Sequence, residues 1–454
     1  MRLSQTIGKE FVRRNWVILW FLLGLGSEMQ IIASLSLTEL FVLIAGPCLL
    51  IKTYHQLVWD GVATFFWLAV SVFVGCAIAC YANETPFIFA LRGYAVTTII
   101  PCAIVVSHWL IRKSPNGFKW FLLGSAISLV LCTFVFQKSV EVAALAGGTF
   151  DRETASLIMS GPIFWVGRLK NFVMLLTSGW YLHTSVWLDI PAALFMAFFS
   201  LLTTESGRSA ALGAIAFVGI LLIGGKCQRT MRNRLCQHFW LVVIAAAVGV
   251  FLAKAGYETA ASNGWLGEKS QAKYEKQTKG DKSLMALLLG GRMESFCGLI
   301  ACVDKPIIGF GPWAMDDGGY TEKFLMRYGK EEDIVALLKR KAFGTDVGMI
   351  QCHAYLTEFW LWFGITGLIF WIYVFFVLLR YLKEDCWAIP QWFAWLACAI
   401  PGFCWNIFFS PLNNRFTPIL FVVACLMARA VRRGRFVLPP EMLQEIIENE
   451  RRRA

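Results

Sequence analysis

Charged side chains are scarce in this chain. Asp, Glu, Lys and Arg together make up 16% of its 454 residues, against about 25% in a soluble globular protein. That deficit excludes an ordinary water-soluble fold. Histidine is rarer still, with five in all: His55, His108, His183, His238 and His353. None of them forms an HxxxH or HExxH pair, and no cluster of carboxylates accompanies them. The spacing that a resident metal would need is therefore missing, and no metal site is expected. A nucleophile-elbow motif is also missing, so the sequence gives no support to a Ser-His-Asp triad. No internal repeat stands out, although transporters are commonly built from repeats. The basic N-terminus, Met1–Asn15, leads into an apolar stretch without a small-residue cleavage pattern. It is expected to be a retained helix rather than a cleaved signal.

What the chain has in excess is apolar length, with 57% hydrophobic and 15% aromatic residues. A spanning helix needs about 20 mostly apolar residues. Such stretches lie near 15–33, 36–53, 61–81, 89–110, 118–137, 172–187, 189–204, 209–225, 238–255, 353–380, 388–408 and 415–431. The expectation is an all-α, polytopic membrane protein with about twelve transmembrane helices. Most of the fourteen cysteines sit inside these stretches, where they act as small hydrophobes, and none is assigned a disulfide or metal role.

The net charge of +12 would suit nucleic acid, but its distribution does not. Basic residues come in short runs between apolar stretches: Lys9, Arg13 and Arg14, then Arg112 and Lys113, Lys226 to Arg234, Arg380 and Lys383, and Arg429 to Arg435. An even helix count puts all these runs on one side, which the positive-inside rule makes the cytoplasm. Both termini are then cytoplasmic. The chain divides into helices 1–9 over residues 1–255, a long outward, periplasmic loop over 256–352, helices 10–12 over 353–431, and a tail over 432–454. In the tail, Pro440–Arg453 reads as a short helix, and Met442, Leu443, Ile446 and Ile447 give it an apolar stripe suited to the inner leaflet.

The long loop, Tyr257–Cys352, is the polar exception, and it is expected to be partly helical over Met293–Asp304 and Glu331–Lys341. Outward loops should be poor in Arg and Lys, yet Arg168, Lys170, Arg208, Arg292 and Arg415 all fall on that side. A guanidinium matches two phosphate oxygens with a rigid fork. At a helix start, Arg292 would add free N–H groups and the positive end of the helix dipole. Gly290 and Gly291 before it would allow close backbone approach. Any one of these arginines could instead snorkel to headgroups or pair with an acid such as Glu205 or Glu294. Arg208, Arg292 and His353 on one face together favour anion binding, with His353 able to accept a proton near neutral pH.

The motifs and their order carry a resemblance. Gly291-Arg292-Met-Glu294-Ser-Phe296, then Pro306-Ile-Ile-Gly309-Phe-Gly311, then His353-Ala-Tyr-Leu356 with Gly364-Ile-Thr-Gly367 resemble the signature of the O-antigen ligase and polymerase superfamily. Ser206-Gly207-Arg208-Ser209 and Leu35-Ser-Leu-Thr-Glu39-Leu resemble two earlier segments of it. Phe296 stands where that family prefers tryptophan, and Ala354 where it often has asparagine. The resemblance implies a membrane glycosyltransferase of the GT-C type without a cofactor. It implies a donor glycan on undecaprenyl pyrophosphate and an acceptor sugar hydroxyl, typically on lipid A–core, at the periplasmic face of a bacterial inner membrane. Arg208 and Arg292, with Gly290 and Gly291, would bind the pyrophosphate. His353 would be the base, and Arg168, Arg415 and Glu294 would support them. Transfer would invert the anomeric centre. Three other readings stay open: a polysaccharide polymerase, a protein O-oligosaccharyltransferase, and a lipid-linked-sugar transporter.

Overall fold

Local sequence explains where the helices begin and end. The computed structural model describes residues 2–27, 29–32, 35–134, 296–328, 348–350, 352, 354–386, 388–409, 415–440 and 442–444, with isolated positions elsewhere. Helix α1 (Arg2–Ser27) is followed by a short antiparallel pair, β1 (Gln30–Ile32) and β2 (Leu35–Ser36). This pair is the one departure from helix and turn among the described elements, and it ends the first apolar stretch sooner than its composition suggests. Helix α2 (Leu37–Asp60) starts at a capping box: the Glu39 amide donates to Ser36 Oγ at 3.2 Å, and the Ser36 amide donates to Glu39 Oε2 at 3.0 Å. It stops at Gly61, whose φ of +77° suits the left-handed cap.

Helices α3 (Ala63–Ala82), α4 (Phe87–Lys113) and α5 (Phe118–Phe134) complete the N-terminal group. Beyond it come α6 over 296–304, α7 (Tyr320–Tyr328), α8 (Tyr355–Phe363) and α9 (Ile365–Arg380, extended by a π-turn over Tyr381–Asp385). Last are α10 (Pro390–Phe409) and α11 (Phe416–Arg432). Positions 440, 442–444 and 447 of the tail are helical. The described parts of the apolar stretches between 15 and 134 and between 354 and 431 are largely helical, apart from the strand pair and a break at Gly364. The four at 172–255, the tail beyond 447 and the run Glu331–Lys341 lie outside the described residues. Among the described residues, four helices are long and apolar enough to cross a membrane: Leu37–Asp60, Ala63–Ala82, Phe87–Lys113 and Ile365–Asp385. The protein is predominantly helical and has the character of a membrane protein.

Two details hold the helices together, the first within the N-terminal group and the second between it and the C-terminal group. Gly24 of α1 and Gly124 of α5 face backbone of the opposite helix, so a methyl at either would fall on a carbonyl of its partner. Small residues allow this approach, as is usual between membrane helices. An aromatic seam joins α3 to α8 and α9, with Phe65 stacked on Phe370 at 5.5 Å and Phe359 on Phe370 at 6.3 Å.

Chain direction alternates between two ends. At one end, Asp60 meets His108 and Arg112, the Trp20 indole donates to Ser114 O, the Trp392 indole to Pro115 O, and the Trp59 indole to Arg435 O. Arg380 and Arg432 bind Glu384 there. This is the basic end. At the opposite end lie Glu39 with Arg415, Asn83 with Lys305, and the start of α8.

Candidate functional site

At the opposite end, the expected span 353–380 is broken. Gly364 takes φ +62° and ψ −147°, and α8 stops there. A helix end leaves four carbonyls without intrahelical partners, and here each is accounted for. Trp360 O accepts from the Gly364 amide at 2.9 Å, and Phe363 O from the Thr366 hydroxyl at 2.8 Å. Leu361 O and Trp362 O accept from the amides of Phe310 at 2.7 Å and Gly311 at 3.1 Å. The Ile365 amide, opening α9, donates to Ile307 O at 3.0 Å. The turn Pro306–Gly311 is therefore sewn onto the helix break, and the Trp360 indole closes the seam by donating to Pro306 O at 3.0 Å.

Glycine is required on both sides of this seam. A methyl at Gly364 would fall on the carbonyl of Ile307, and one at Gly309 would lie 2.6 Å from the Gly364 nitrogen. The two glycine motifs read separately in the sequence are one interlocked unit. Asn83, at the end of α3, holds its outer edge. Its side-chain amide donates to Gly309 O at 3.1 Å and Ala79 O at 2.8 Å, and its oxygen accepts from Lys305 Nζ at 2.6 Å. Trp313 stacks on Trp362 at 4.7 Å.

The loop continues into a second clasp. Asp316 caps α7, accepting from the Tyr320 amide at 2.7 Å and the Thr321 amide at 3.0 Å. Its own amide donates to Gly348 O, and the Ile350 amide donates to Ala314 O at 2.9 Å. Ala301, Cys302, Tyr320, Ile350 and Leu361 form a small core beneath these contacts, with Cys352 packed against it. Burial pushes the Tyr320 phenol up to about 12, and Asp304, which accepts its proton, adds to this. Burial also pushes the Cys302 thiol up and that of Cys352 up to about 12. Both thiols are thereby kept in the unreactive form. The residues on either side of position 353 are held in place. Ile350 is bonded to Ala314, and Ala354 is 1% exposed with its carbonyl accepting from the Glu358 amide at 2.8 Å.

Of the residues singled out from the sequence, Arg415 is described. It is 6% exposed, its amide donates to Glu39 Oε1 at 3.1 Å, and its guanidinium lies 3.5 Å from Glu39 Oε2. Arg168, Arg208, Gly290, Gly291, Arg292, Glu294 and His353 lie outside the described residues. Phe296, at the position where the resembled family has tryptophan, stacks on Phe324 at 6.4 Å. Sequence reasoning passed over Asn83, Asp316 and the role of Glu39. Asp316 and Glu39 carried a legible signal: an acid ahead of a helix start, and Ser-x-x-Glu as a capping box. Asn83 carried none, because its partners are in the distant loop.

The described frame contributes shape and rigidity. No protein-family model matches the chain, and no curated protein matches it.

Proposed function

We propose that the protein is a membrane glycosyltransferase of the O-antigen ligase type. It moves a glycan from undecaprenyl pyrophosphate to an acceptor sugar hydroxyl, on lipid A–core or a similar glycan, at the periplasmic face of a bacterial inner membrane. The observation that carries this reading is the interlock of Pro306–Gly311 with Gly364, since it joins two motifs of the resembled family into one support at the C-terminal end of α8. In this reading Arg208 and Arg292 neutralise the pyrophosphate as the C–O bond breaks. His353 takes the proton from the acceptor hydroxyl as it attacks from the opposite face. The anomeric centre inverts, and the released group is undecaprenyl pyrophosphate.

The test is incubation of purified protein with a lipid-linked glycan and candidate acceptors. The expected result is transfer of one preformed glycan to the acceptor, unaffected by chelator and reduced at least a hundredfold, a typical general-base contribution, in His353→Ala. Arg292→Ala is expected to lose transfer as well. Native-rate transfer by both folded variants overturns the assignment. A ladder of products grown by this protein alone makes it a polymerase instead.

A further inference from the structure

The chain after α11 turns back on the helix end, with the amides of Arg435 and Phe436 both donating to Ala430 O, and then runs along the basic end. Phe436 and Leu438 point inward, 6% and 4% exposed, and the Arg112 guanidinium lies 5.6 Å from the Phe436 ring centre. Arg435 and Val437, on the alternate face, are exposed, Val437 by 76%. Trp59 stands beside them. Its indole N–H is tied to Arg435 O at 2.9 Å, yet 64% of the residue is exposed. A cation, an aliphatic side chain and a tethered tryptophan thus share one outward face at the end of a helix group. That is the composition of a headgroup boundary.

The charge at this end is unbalanced. Its described acids are Asp60, Glu384 and Asp385. Asp60 is engaged by His108 at 2.7 Å and Arg112 at 3.5 Å. Glu384 is bound by Arg380 at 3.1 Å and Arg432 at 2.9 Å, and Arg432 also binds Asp385. Arg433, Arg435 and Lys113 are exposed and have no acidic partner among the described residues.

We infer that Arg433 and Arg435, with Lys113 and the Trp59–Val437 face, form a docking surface for the headgroup of an anionic phospholipid. Charge complementarity selects that occupant, because among the described residues the surface offers these cations with no acid to pair them, and the exposed Trp59 and Val437 suit an acyl boundary rather than water. The inference rests on the basic end facing an anionic leaflet and is independent of the chemistry proposed for the opposite end.

The test uses the full-length protein in mild detergent, with thermal unfolding followed as phosphatidylglycerol or phosphatidylcholine is added. The expected result is a rise in the unfolding midpoint with phosphatidylglycerol alone, weakened by about 1 M salt, where screening is nearly complete. The Arg433→Gln/Arg435→Gln protein should need on the order of tenfold or more phosphatidylglycerol for the same rise, and the Arg433→Lys/Arg435→Lys protein should retain most of it. Equal stabilisation by both lipids, or a glutamine double variant that responds like the native protein, overturns the inference. Should the glutamine variant not fold, salt-insensitive stabilisation of the native protein overturns it equally.

Discussion

Replacing Gly364 with alanine puts one methyl group where the site frame has no room. Three effects add. The backbone at φ +62° and ψ −147° lies close to a region essentially restricted to glycine, and a side chain there costs about 1–3 kcal/mol. The methyl falls on the Ile307 carbonyl, so the turn must move away and the Ile365–Ile307 hydrogen bond is lost, worth about 1 kcal/mol. As the turn moves, Leu361 O and Trp362 O lose their donors, at about 1 kcal/mol or more each where water does not replace them. The sum is about 4–6 kcal/mol. At 1.4 kcal/mol per decade, protection of the amides of Phe310, Gly311 and Ile365 is expected to fall by about three to four decades. Hydrogen exchange read by mass spectrometry on peptides covering these positions measures that directly. Gly348→Ala serves as the internal control, because a methyl at Gly348 meets nothing within 4 Å and should change protection little. Native protection in folded Gly364→Ala protein would refute the claim that the seam depends on this glycine.

Two further expectations concern the same end of the molecule. Glu39→Ala removes a carboxylate that caps α2 and faces Arg415, with both side chains under a tenth exposed. Stranding the arginine should destabilise the protein by about 3–5 kcal/mol. The Glu39→Ala/Arg415→Met protein should recover part of that loss in thermal unfolding, and equal midpoints for the single and double variants would sink the ion-pair argument. The Cys352 thiol, raised to about 12 by burial and then by Glu358, holds its proton in the folded state well beyond an ordinary thiol near 8.5. Its folded pKa is the higher one, so its contribution to stability is full below about 8.5 and is lost as pH rises towards 12. At pH 8, iodoacetamide should label Cys352 at least about a hundredfold more slowly in folded than in unfolded protein. Comparable rates would contradict its placement.

Composition and hydropathy by themselves determined that this is a helical membrane protein, and near which residues its apolar stretches begin and end. Those properties are local: a run of apolar residues must satisfy its backbone within itself, whatever surrounds it. The glycine motifs at 306–311 and 364–367 were also visible as motifs, but not as one object. Only the tertiary structure decided that, because the donors for Leu361 O and Trp362 O come from Phe310 and Gly311, remote in the chain. The break at Gly364 inside an otherwise continuous apolar run has the same origin. An interrupted helix survives when something else satisfies its open carbonyls, and no local pattern says what that is. Likewise, the sequence offered Arg415 as a supporting cation on the outward side, and folding sets it against Glu39. Burial forces such a charge to find a partner, and which partner is reached depends on how α2 and α11 meet.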